Sequence, residues 1–209
     1  MARAILKLLV CCLVFFVSAT ADAAPTAKER AQAKSAWIKG KRFVTQEKRD
    51  EAVESLRIAV ELDPKVQYQL DLARALVAVR AFVEASELCE AVKTSSEANT
   101  QKAKQAATTL AKDLEPRIPR LTVNVSAEGA TATVNGETVE LGKPLAFDPG
   151  VYTVRARIGD NPETSERVEL QERARKTVTL DPTSGQPAKP EEEKSSGGTM
   201  LPAAIAYSL

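Results

Sequence analysis

Apolar and polar positions give this chain two textures that meet near residue 119. From Thr26 to Glu115, Gly and Pro are sparse, and Ala, Leu and Val recur among Lys and Glu at helical spacing. Thr26-x-x-Glu29 has the spacing of a capping box and predicts the start of a first helix. That helix is expected to run to about Phe43, with a break over Gly40 to Thr45. A second is expected from about Lys48 to Leu62, with Ala52, Val53, Leu56, Ala59 and Val60 on one face. Asp63-Pro64 punctuates, and Pro64 suits the first position of a third helix, about Lys65 to Val79, where its missing N–H costs nothing. A fourth, about Phe82 to Val92, offers Val83, Leu88, Cys89 and Val92. Thr94-x-x-Glu97 reads as a second capping box opening a fifth helix to about Glu115, which Pro116 and Pro119 end.

Beyond Pro119 the period changes to two. Leu121, Val123 and Val125 alternate with Thr122, Asn124 and Ser126. Asn135-Gly136 lies between Thr131–Val134 and Glu137–Val139, a tight-hairpin signal because both turn positions favour positive φ. Asp148-Pro149-Gly150 turns the chain before Tyr152, Val154, Ala156 and Ile158 alternate, and Gly159-Asp160-Asn161-Pro162 turns it again. Val168 and Leu170, then Ala174, Val178 and Leu180, complete six or seven short strands. The fold class is therefore α+β in two domains: helical hairpin repeats over 26–116, then a small antiparallel β-sandwich over 120–181.

The ends differ from both. Arg3 and Lys7 precede an unbroken apolar run from Leu8 to Val17, and Ala-x-Ala patterns end at Ala21 and Ala23, which reads as a cleaved export signal over 1–23. The run falls short of the roughly 20 residues a membrane-spanning helix needs. Residues 182–209 read as a flexible Pro, Gly, Ser, Glu and Lys spacer followed by a short apolar tail, Met200 to Leu209. That tail is expected to be either the start of a membrane anchor cut short or a segment that touches a surface. The expected location is the periplasm or cell envelope, soluble or tethered.

Composition removes several chemistries. The 209 residues include no histidine, which excludes Ser-His-Asp and Cys-His catalysis, HExxH zinc helices and Cys₂His₂ fingers. Lys+Arg number 29 and Asp+Glu 28, a balance that argues against a nucleic-acid surface. Loss of the export segment removes two of the three cysteines, leaving Cys89 with no partner for an intramolecular bridge. Its expected role is that of a small buried apolar residue. Asp148, Asp160, Asn161 and Glu163 do not have the spacing of a Ca²⁺ loop, and Gly129 and Gly136 do not form a phosphate-binding loop, so neither metal nor cofactor is expected.

The stretch Glu51 to Pro64 resembles the second helix of a tetratricopeptide repeat, with Ala52, Leu56, Ala59 and Pro64 at its small, large, small and Pro positions. Gly40 and Phe43 match positions of its first helix, and Trp37 falls one residue from that of the family. A weaker copy follows 33 residues on, in Leu72-Ala73, Leu76, Ala85, Cys89 and Val92, without the final Pro. Residues 120–181 resemble the PEGA domain, a small β module of bacterial envelope proteins, through Ala127-Glu128-Gly129-Ala130, Val134-Asn135-Gly136 and Pro149-Gly150-Val151-Tyr152-Thr153-Val154. Together these resemblances imply an exported, non-enzymatic envelope protein whose helical repeats bind another envelope protein or peptide, with the β domain as spacer or docking module. In that register the inner-face positions are Lys34, Trp37, Lys41, Gln67, Leu70 and Arg74, and Lys41 with Arg74 would attract an acidic segment. The alternatives are a cell-wall or polysaccharide-contacting β module, with Phe147 and Tyr152 as candidate stacking rings, and an enzyme using carboxylates or a Ser/Lys pair.

Overall fold

The computed structural model describes residues 24–159 and 162–183. The expected export signal (1–23), the spacer and tail from 184 onward, and Asp160 and Asn161 lie outside the described residues. Among the described residues five helices precede seven strands, and the chain separates into two compact units. Among the described residues, the first comprises 24–79 and 88–108, and the second 80–87 and 109–183.

In the first unit, α1 (Ala27–Thr45) packs on α2 (Arg49–Leu62), and α2 packs on α3 (Val66–Ala78). The capping box at the start of α1 is formed: the Thr26 N–H donates to Glu29 Oε2 at 2.6 Å, and the Glu29 N–H donates to Thr26 Oγ1 at 3.2 Å. The expected break at Gly40 is absent, and α1 runs through it to Thr45. Gly40 serves the crossing instead, because a Cβ there would stand 2.6 Å from Leu56 Cγ and 3.2 Å from the Leu56 backbone nitrogen. Its cost as a helix breaker, about 0.5–1 kcal/mol relative to Ala, is offset by this close approach.

Pro64 also departs from expectation. α3 begins at Val66 with Lys65 as N-cap, so Pro64 precedes the cap. The Thr94 capping box does not form either: Thr94 is the last residue of α4 (Phe82–Thr94), and α5 (Gln101–Leu114) starts seven residues later. The Glu97 carboxylate instead accepts the Val66 N–H at 3.0 Å and so caps α3, a helix from which it is distant in sequence. The 33-residue period does survive as a burial pattern. Ala52, Leu56 and Ala59 are closed to solvent, as are Ala85, Cys89 and Val92 at the same offsets. Cys89 is a free, buried thiol, and its desolvation, with Glu90 nearby, pushes the thiol pKa up, as expected of an inert core residue.

The second unit is built on two sheets. One has the order β4-β1-β7, from β1 (Arg120–Val125), β4 (Pro144–Ala146) and β7 (Arg175–Leu180). The other has the order β3-β2-β5-β6, from β2 (Thr131–Val134), β3 (Glu137–Val139), β5 (Gly150–Arg157) and β6 (Thr164–Leu170). Alternate residues of both sheets meet in one core: Leu121, Val123, Val178 and Leu180 from the first, and Ala132, Val134, Val154, Ala156, Val168 and Leu170 from the second. Asn135 and Gly136 take φ of 51° and 94°, the left-handed pair that a two-residue hairpin requires. One feature departs from a purely antiparallel sandwich: β1 and β7 pair in parallel, Arg120 opposite Arg175 through Val125 opposite Leu180.

Residues before β1 also belong to this unit. The Val83 N–H near the start of α4 donates to Asp148 Oδ1 at 2.9 Å. The Arg117 guanidinium lies over the Phe82 ring, 4.5 Å from its centroid, and its Nε donates to Glu172 Oε1 at 2.7 Å. That hydrogen bond holds the Glu172 carboxyl below the usual carboxylate range.

Candidate functional site: a cleft on the helical unit

The first unit carries a cleft of about 290 Å³ between the end of α1, the start of α2 and the length of α3. Its floor is apolar, made by Val44, Ala52, Leu56, Ala75 and Ala78. Small residues on α2 and α3 leave the space, because two alanines of α3 face the cleft where larger side chains would fill it. Val44 keeps 51% of its surface exposed.

The rim is charged. Lys41, Arg49 and Arg74 bring three cations to it, against Glu47 and Asp71. Arg49 Nη1 donates to the Ala78 carbonyl at 3.4 Å, placing a cation at the C-terminal end of α3, where the helix dipole favours it. Glu47, just beyond α1, adopts φ of 58° in the turn that joins α1 to α2.

One wall is organised around Asp71. Its Oδ2 accepts the Trp37 Nε1–H at 2.8 Å and the Gln67 Nε2–H at 3.1 Å, and its Oδ1 accepts from Arg74 Nη1 at 3.3 Å. The Asp71 side chain is only 12% exposed, whereas that of Arg74 is 54% exposed. The carboxylate is thus consumed by its partners while much of the guanidinium faces water. Trp37 packs against Tyr68 with ring centroids 5.3 Å apart, and Lys41 Nζ stands 4.8 Å from the centroid of the indole.

Of the residues expected on an inner face, Trp37, Lys41, Gln67 and Arg74 therefore gather on one surface, and Asp71 joins them. Lys34 is exposed and makes no hydrogen bond or ion pair with another described residue. Leu70 is a correction: at 2% exposure it belongs to the core and lies on no surface. Sequence reading missed Asp71, Arg49 and the apolar floor. Asp71 carried a usable signal, since it lies one helical turn from both Gln67 and Arg74.

In the second unit, Phe147 and Tyr152 meet edge to face at 5.0 Å against the core, and the Tyr152 hydroxyl donates to the Asp148 carbonyl at 2.8 Å. Their rings are spent on packing and on that turn. Burial raises the Tyr152 pKa, with the Asp148 charge adding to the shift. Among the described residues, no group of three or more His, Cys, Asp or Glu is placed to hold a metal ion, and no helix is long and apolar enough to cross a membrane. No family model matches the chain, and no curated protein matches it.

Proposed function

We propose that the protein is a non-enzymatic binding protein of the bacterial envelope, and that the cleft between α1, α2 and α3 receives a peptide segment carrying both apolar and acidic side chains. The observation that carries this reading is the pairing of an apolar floor, exposed at Val44 and Ala78, with a rim on which Lys41, Arg49 and Arg74 outnumber Glu47 and the already engaged Asp71. Apolar anchors supply affinity in such grooves, and rim charges set partner choice and association rate. The export pattern of residues 1–23 and the resemblance to tetratricopeptide and PEGA modules support an envelope location with the β unit as spacer or docking module.

A peptide array in which acidic, neutral and basic positions are varied around Leu anchors tests it. Binding should concentrate on acidic-apolar peptides and weaken about tenfold for the Lys41→Glu, Arg74→Glu double variant. Equal retention of basic and acidic series by the unaltered protein would reject the cleft as the site.

A further inference from the structure

The outer face of the four-stranded sheet carries a second surface with different chemistry, independent of the cleft. Alternation puts Ala132, Val154, Ala156, Val168 and Leu170 inward, so the neighbouring positions point out. The register then sets the outward rows. Arg157 opposes Thr131, and Arg155 lies between Thr133 on β2 and Ser165 on β6. Arg167 opposes Thr153, and Thr138 extends the Thr133 row onto β3. Arg155 and Arg157 are about 7 Å apart along one strand. Arg167 is the diagonal neighbour of Arg155, at about 7–8 Å.

All three arginines are exposed, and none forms a hydrogen bond or ion pair with another described residue. Glu169 lies at one end of this face opposite Val151, and Glu163 precedes β6 at the other. Neither carboxylate forms an ion pair with an arginine, so the face carries three guanidinium groups set among hydroxyls and without an ion-pair partner among the described residues. Like charges at this spacing repel one another in the free protein, and an anionic ligand would relieve that repulsion.

We infer that this face binds an acidic polysaccharide, with Arg155, Arg157 and Arg167 pairing carboxylates of successive sugars and the Thr and Ser hydroxyls meeting sugar hydroxyls. Guanidinium groups bind carboxylates in a planar, two-point fashion, and an exposed sheet face with its arginines on neighbouring strands suits an extended polymer lying across it. Other polyanions fit less well. A protein partner would need an apolar or aromatic anchor at the centre of the face, and the sole exposed aliphatic residue there, Val151, is at the end. Single-stranded nucleic acid would need stacking rings, and Phe147 and Tyr152 are committed to the core. A bilayer surface would call for a larger basic cluster or an inserted apolar segment.

The test is retention of the full chain on immobilised alginate, a polyuronate, beside neutral dextran and phosphatidylglycerol vesicles, as salt is raised. The expected result is salt-sensitive binding to alginate alone. The Arg155→Thr, Arg157→Thr, Arg167→Thr triple variant should lose affinity by about tenfold or more, the sum for three exposed charge contacts. Thr suits exposed strand positions, so an unchanged thermal melt certifies the fold. The Lys41→Glu, Arg74→Glu variant should bind alginate as the unaltered chain does, which separates this surface from the cleft. Equal binding to dextran, undiminished alginate binding by the triple variant, its loss in the cleft variant, or capture by vesicles in place of alginate would each overturn the inference.

Discussion

The two units divide labour between core and surface in different ways. In the β unit, alternation separates them: Val154 and Ala156 face the core while Arg155 and Arg157 between and beyond them face out, and no side chain serves both. In the helical unit the same residues do both. Leu56 is closed to solvent by the crossing with α1 and also forms the cleft floor, and Asp71 joins α1 to α3 while forming one wall. The helical surface is therefore expected to be costly to alter, and the sheet face cheap.

Substitutions can break this comparison. Leu56→Ala should have the largest effect, destabilising the helical unit by about 2–5 kcal/mol in chemical denaturation while reshaping the cleft. Gly40→Ala comes next: its Cβ meets Leu56 in both side chain and backbone, and overpacking of this kind costs about 1–3 kcal/mol. A melt unchanged by Gly40→Ala would show that the crossing is looser than its geometry. Trp37→Phe keeps an aromatic ring beside Tyr68 but removes the donor to Asp71, and should cost about 1 kcal/mol, read as a lowered melting midpoint.

The smallest effect belongs to the β unit. Glu166 has inward parity on β6, and desolvation raises its pKa, with Lys176 opposing the shift. A carboxyl whose folded pKa is raised loses its proton more readily when unfolded, so stability falls as pH rises through the ordinary carboxylate range. Glu166→Gln should therefore stabilise the protein by less than about 1 kcal/mol near neutral pH and make no difference in acid. A larger gain in acid than at neutrality would reverse that sign.

The same contrast explains what could be read from residues alone. Strands and the Asn135-Gly136 hairpin were legible because a two-residue period and a turn with positive φ are local properties. The parallel pairing of β1 with β7 was not, since alternation specifies a strand's faces and says nothing of its neighbour. Among the helices, existence was legible and punctuation was misleading. Gly40, Pro64 and the Thr94-to-Glu97 spacing all look like helix boundaries, yet Gly40 admits Leu56 and Glu97 caps a distant helix. Helical spacing brought Lys41 and Arg74 to the cleft, and Trp37 and Gln67 to the Asp71 that forms its wall. It misplaced Leu70 because the buried arc of α3 is wide, running from Val66 through Tyr68, Leu70 and Leu72 to Leu76.

Trp37 is the one tryptophan of the chain, and although it packs against the core it touches two cleft-lining residues, donating to Asp71 and carrying Lys41 over its ring. Its fluorescence therefore reports, through Asp71 and Lys41, on whether the cleft is a binding site. Titration with a peptide in which Glu and Leu recur at helical spacing should shift the Trp37 emission saturably, and the Lys41→Glu, Arg74→Glu variant should abolish that shift. A Lys-for-Glu peptide that saturates the unaltered protein equally well, or no response to either peptide, would contradict the account.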